Sequence, residues 1–251
     1  MTQQDWPVGY GRRVLAEVDS TLDEARRIAN SLAGPEWILA LHQTAARGRR
    51  GRAWHNPKGN FAATLVLRPD APPQQAALRS FVAALALFDA VVAVTGRASG
   101  LSLKWPNDVL LNGGKLAGIL LESVGNGTGV NHLSIGIGVN LAEAPSAAQV
   151  EEGAVRPVSL LSETGIAVTP EDFLNALAAA YARHEHSFAT QGFAPIRRLW
   201  LDRAARRGEV ITARTGTSEQ QGRFVDVDND GQLVLETANG RVAIPAADIY
   251  F

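Results

Sequence analysis

The alternation of apolar and polar positions divides the chain into short segments of helix and strand type. Leu22, Ala25, Ile28, Ala29 and Leu32 recur at helical spacing and predict a helix over 19–32. Ser20 or Thr21 can cap it, each with an acid three places on (Asp23, Glu24), as a capping box requires. The apolar run 37–42 and the run 61–67 read as buried strands. Leu78, Phe81, Val82, Leu85, Phe88 and Val92 describe a long helix with a wide apolar face. Strands follow at 101–105, 108–111, 115–122 and 132–141. Asn112-Gly113-Gly114 supplies a favoured hairpin turn between the second and third of these. Helices are predicted at 170–189 and 194–205.

After Gly208 the pattern shortens. Strands are predicted at 209–214, 223–227, 232–237 and 241–244, with turns at Asp228-Asn-Asp-Gly231 and Asn239-Gly240. So few residues of short strand suit a small β-barrel packed on a larger body. The expected architecture is therefore a mixed α/β (α+β) domain over 1–205 and a β module over 206–251.

Composition narrows the class. The chain has 251 residues, 24 basic against 25 acidic, and no cysteine. The balance gives no global field for nucleic acid or membrane. The absence of cysteine removes disulfide scaffolds, thiolate zinc sites and thiol nucleophiles. The N-terminal residues lack the apolar core of a signal peptide. The longest apolar stretch, 81–95, is broken by Asp89 and is short for a bilayer span. A cytoplasmic protein is expected, without membrane contact. Only Lys58, Lys104 and Lys115 are lysines, against 21 arginines. A compact, movable charge kept at Lys104 and Lys115 marks both as candidates for chemistry.

Four segments carry that chemistry. Arg47-Gly-Arg-Arg-Gly-Arg52 places four guanidiniums in six positions, within a stretch (37–69) that holds no acid. Glycines allow close backbone approach and arginine forks suit phosphate oxygens, so a loop that stays mobile until an anion arrives is expected. A solvated basic loop or an RNA-contacting segment would look the same. Trp54 and His55 follow it, where an aromatic can stack on a base. Lys104-Trp-Pro-Asn-Asp108 gathers polar groups at a strand end; Asp108 could hold Mg²⁺, or Asn107 and Asp108 could form an Asx turn. Lys115 opens the apolar strand Lys115–Glu122, where desolvation asks for an anion opposite. No Walker A loop is present. In 134–140, Ile135, Ile137 and Val139 share one face, and Ser134, Gly136, Gly138 and Asn140 the other. That bare face either floors a pocket for a flat ligand or receives a helix. His184 and His186, two apart on a helix, do not share a face and make a poor metal pair.

In this order, Asp19-Ser-Thr, Gln43 with RGRRGRAW, KWPNDVLL, GGKLAGILLE and IGIGVNL resemble the motifs of biotin protein ligases, strongly over 14–141 and in outline beyond. The resemblance implies a catalytic domain like that of class II aminoacyl-tRNA synthetases and an SH3-like C-terminal domain. It implies that biotin and ATP give biotinyl-5′-adenylate, which the lysine of a biotin carboxyl carrier protein then attacks. It places Ser20, Thr21, Gln43, Arg47, Gly48, Arg49, Lys115 and Gly118 around biotin. Arg47, Arg49, Arg50, Arg52, Trp54, Asn107, Asp108, Lys115 and Asn140 would serve ATP or the adenylate, with Asp108 on Mg²⁺. Lys115 and Arg49 would be catalytic. Leu22 stands where the family often has Asn, and Ala45-Ala46 where Ala-Gly is usual. Because the motifs begin at residue 19, a ligase that binds no DNA is expected; a homodimer is among the assemblies left open. A lipoate or octanoate ligase and a nucleic-acid-binding module are the competing readings.

Overall fold

A computed structural model describes residues 6–125, 129–146, 149–150, 153–215 and 218–250. The N-terminal segment that lacks a signal peptide's apolar core lies partly outside these residues. Strands β1 (Gly11–Leu15), β2 (Glu36–Ala40), β3 (Phe61–Leu67), β4 (Leu101–Lys104), β5 (Asp108–Leu111), β6 (Gly114–Gly125) and β7 (Val130–Val139) form one sheet. Its order is β1-β2-β3-β7-β6-β5-β4, with β1 and β2 parallel and every other pair antiparallel.

Every residue of β3 is buried, because both faces of the sheet are covered along this central strand. On one face Trp37, Leu39, Phe61, Ala63, Leu65, Ile135 and Ile137 join the main core. They meet the helices α3 (Arg79–Thr95) and α5 (Pro170–Gln191), with Phe61 edge-on to Phe173 at 5.1 Å and Trp37 edge-on to Tyr181 at 5.8 Å. Complete burial of each such side chain is worth about 1.5–3 kcal/mol. On the other face Ile38 and Val66 pack with Ala25 and Ala29 of helix α1 (Thr21–Ile28) and the turn after it. α1 covers only part of that face, and the uncovered part becomes the site.

The turn joining β5 to β6 has Asn112 at φ 49° and Gly113 at φ 76°, the two positive values a type I′ turn requires. Asn tolerates that region better than most residues, which is why this hairpin was legible. Two short helices, α2 (Pro73–Ala77) and α4 (Leu160–Thr164), and the edge strand β1 were not predicted. Each is short, and β1 alternates half-buried with exposed residues.

Helix α6 (Phe193–Leu201) ends earlier than predicted, and the chain then runs along β4. The Leu103 amide donates to the Arg203 carbonyl and the Ala205 amide to the Leu103 carbonyl, both at 2.8 Å. This covers one sheet edge that would otherwise invite pairing. Beyond it, β8 (Val210–Arg214), β9 (Glu219–Val227), β10 (Leu233–Thr237), β11 (Gly240–Ile244) and β12 (Asp248–Tyr250) form an antiparallel sheet. Its order is β11-β10-β9-β8-β12. Trp105 ties the two bodies together, its indole N–H donating to the Gly231 carbonyl at 3.0 Å. The run 73–95 is long and apolar enough to cross a membrane by length and composition, more than the stretch broken at Asp89 suggested. Here it is α2 and α3, packed into the core.

Candidate active site

α1 begins at the edge of the uncovered sheet face. Ser20 is its N-cap, extended at φ −153°, and its hydroxyl accepts from the Leu22 amide at 3.2 Å. The expected capping box does not form, because Asp23 is drawn into other ion pairs. Thr21 donates to the Gln43 side-chain oxygen from both its amide (2.8 Å) and its hydroxyl (3.1 Å). The Thr64 hydroxyl in turn donates to that of Thr21 at 2.8 Å. Ser20 and Thr21 are buried polar groups fixed by neighbours, at one wall of a cavity of about 580 Å³.

The glycine face of β7 receives helix α1 at one glycine and a side chain of the arginine loop at the next. Gly136 lies under Leu22, so the residue where the family often has Asn packs on the sheet. Gly138 lies under Trp54: a methyl group there would sit 2.5–2.7 Å from the indole atoms. Its register partner Gly118 lies by the far edge of the same ring, where an added methyl group would come within 3.2 Å of it. The flat object on this floor is a side chain of the arginine loop, and the Lys115 ammonium lies 5.8 Å from its ring centre.

The arginine loop is more tightly held than an acid-free stretch suggests. Arg47 pairs with Asp23 of α1 and with Glu122 of β6, the latter at 3.2 Å. Those two carboxylates raise the Arg47 pKa. Arg49 donates to the Asn107 side-chain oxygen at 3.2 Å. Asp248 of β12 meets Arg50 at 2.6 Å, Arg52 at 3.2 Å and Arg49 at 3.6 Å. Burial lowers the Arg49 pKa, while Asp248 and Asp108 pull it the other way. Arg50 turns through φ 57° to make this fit. No local pattern reveals these anchors, which come from segments far along the chain.

Asn107 and Asp108 do not make the Asx turn considered for them. The Asn107 amide donates to the Ile119 carbonyl at 2.7 Å while its oxygen takes Arg49. Asp108 forms an ion pair with Lys115 at 2.8 Å, the anion that a lysine opening an apolar strand called for. The contact lacks hydrogen-bond alignment, so one buried Asp108 oxygen has no hydrogen bond. Lys104 lies in the same cavity, where burial lowers its pKa, Asp108 opposes that and Lys115 adds to it. Asn140 donates to the Val158 carbonyl at 3.0 Å, leaving its own oxygen buried and unbonded.

Ser20, Thr21, Gln43, Arg47, Gly48, Arg49, Arg52, Trp54, Asn107, Asp108, Lys115, Gly118 and Asn140 all line the one cavity. Arg50 does not: it lies outside the lining, paired with Asp248. Sequence reasoning missed Asp248, Ile249 and Tyr250, which enter the cavity from the C-terminal sheet, and the segment around Pro157. His184 bonds Asp89 at 2.8 Å and takes no part.

A mixed sheet carrying an arginine loop, a lysine–aspartate pair and a buried polar helix start around one cavity gives the class of site suited to an anionic small molecule and a nucleotide. The description Biotin/lipoate A/B protein ligase family matches residues 12–140, and Biotin protein ligase C terminal domain matches 208–251. The chain belongs to the biotin/lipoate A/B protein ligase family. It is 58% identical over 238 residues to the biotin--[acetyl-CoA-carboxylase] ligase of Paracoccus denitrificans, covering 95% of this chain and 99% of that protein. It is 34% identical to the bifunctional ligase/repressor BirA of Bacillus subtilis, covering 92% of this chain and 71% of that one. In fold it resembles the biotin protein ligase of Aquifex aeolicus solved with biotin and ATP, at TM-score 0.80 and 24% identity over 95% and 97% of the two chains.

Proposed function

We propose that the chain is a biotin protein ligase, which activates biotin with ATP to biotinyl-5′-adenylate and transfers biotin to a lysine of a biotin carboxyl carrier protein. The observation that carries the reading is the joining, in one cavity, of the fixed Ser20–Thr21–Gln43 group with Lys115 and the arginine loop. The first group suits the ureido ring, which offers both donors and an acceptor. The second suits a carboxylate meeting an α-phosphate. Two anions must approach for that bond to form, and fixed cations at Lys115 and Arg49 offset their repulsion. The match at 208–251 favours biotin over lipoate as the acid activated.

In this reading Lys115 exchanges Asp108 for the reacting oxygens, and Asn107 holds Arg49 against β6. Trp54 offers the adenine ring a stacking partner, and Arg52 and Asn140 serve the nucleotide. Arg47, committed to Asp23 and Glu122, anchors the loop rather than gripping substrate. A closed loop keeps water from the adenylate until the carrier lysine attacks its carbonyl and AMP leaves. Among the described residues no group of three or more His, Cys, Asp or Glu could cage a metal. Mg²⁺ needs no such cage: once Lys115 turns to the reacting oxygens, Asp108 would offer one carboxylate to an ion otherwise held by water and phosphates, where it would neutralise phosphate charge. We place the domain boundary between 205 and 206, at the end of the segment along β4.

Pyrophosphate–ATP exchange run with biotin, with lipoate and with neither tests the reading. Exchange that depends on biotin is expected. Exchange with lipoate alone keeps the fold and overturns the substrate; none with either overturns the ligase.

A further inference from the structure

The last described strand of the chain reaches into a cavity built by the first half. Asp248 opens β12, an outer strand of the C-terminal sheet, which pairs with β8. Its carboxylate stands within 4 Å of three of the four loop guanidiniums. Half-exposed Arg50 and Arg52 would otherwise repel each other and Arg49 at the cavity mouth. Arg47 is fastened on the opposite side, by α1 and β6. The loop is thus pinned twice, once by its own domain and once by the C-terminal sheet.

We infer that Asp248 is a positioning residue: a cross-domain clasp that holds Arg49, Arg50 and Arg52 over the cavity before any nucleotide arrives. It stands in for anionic oxygens, so the forks of Arg49 and Arg52, which line the cavity, already converge when a triphosphate enters. The C-terminal sheet thereby contributes to the nucleotide site through the arginines. The inference rests on the ligase reading for its kinetic consequence, and on the ion pairs alone for its structural one. Partly exposed ion pairs favour contact by about 1.5- to 5-fold each, so losing all three opens the loop on the order of tenfold more often.

Trypsin, which cuts after arginine, reports loop opening in the full-length, ligand-free chain. Asp248→Asn is expected to speed nicking at 47–52 about tenfold, with the thermal midpoint little changed. It should also raise the KM for ATP and release more free adenylate, leaving biotin affinity as it was. Asp248→Glu should restore both properties. If Asp248→Asn lowers the thermal midpoint, Arg50→Gln removes the shortest pair without touching the sheet and should open the loop in the same direction. Unchanged nicking in both variants overturns the clasp. Faster nicking with unchanged KM for ATP and unchanged adenylate release overturns the positioning role. Absence of biotin-dependent exchange in the wild type counts instead against the ligase reading, and leaves the nicking comparison to decide the clasp.

Discussion

Gly138→Ala should unseat Trp54 while sparing the fold. The added methyl would lie 2.5–2.7 Å from three atoms of the indole, against the 3.5–4.0 Å of an ordinary carbon contact. The ring must therefore retreat by about 1 Å, enough to forfeit a quarter to a half of each dispersion well on that side. Overpacking of this kind costs about 1–3 kcal/mol, or on the order of 5- to 150-fold in the population of the seated ring. Trp54 belongs to the loop, whose base is closed by the bond from the Trp54 amide to the Ala46 carbonyl. It can lift away without opening the sheet, so the thermal midpoint should fall by no more than a few degrees. The KM for ATP in biotin-dependent exchange should rise at least about fivefold. Gly118→Ala is the internal control: its methyl would meet the same ring at 3.2 Å, a strain relieved by a few tenths of an ångström. A KM for ATP within twofold of wild type in Gly138→Ala, or an equal rise in Gly118→Ala, would refute the assignment of this floor to Trp54.

Lys115→Ala should abolish adenylate formation in a chain that still folds; normal exchange in that variant removes the central role given to Lys115. Arg49→Ala, which loses the bond to Asn107, should still capture biotin but let free biotinyl-adenylate escape, measured as intermediate released per turnover. Away from the site, burial disfavours the Asp89 carboxylate, but the hydrogen bond from His184 and the charges of His184, Arg203 and Arg183 prevail and lower its pKa. A depressed folded pKa stabilises above the unfolded value near 4 and loses that effect as pH falls through the folded one. Asp89→Asn should therefore be less stable than wild type by about 1–2 kcal/mol at pH 6. The gap should shrink at pH 3, and denaturant midpoints at the two values check it.

What the sequence determined by itself was whatever depends on near neighbours. Period-two alternation placed Ile135, Ile137 and Val139 on the core side of β7 and left Gly136 and Gly138 bare on the other. The run Phe61–Leu67 and the Asn112-Gly113 turn are equally local. The motif order was specific enough to point to the family, and thirteen of the fourteen candidate site residues line one cavity. What only the tertiary structure decided is where the charges go. Asp23 looked like a capping acid and serves Arg47; Glu122 closes an apolar strand and does the same. Asp248 reaches Arg50 across 198 positions of chain. Coulomb attraction acts through space and leaves no period in the sequence, so a basic loop without local acids reads as unanchored until the fold brings its carboxylates to it.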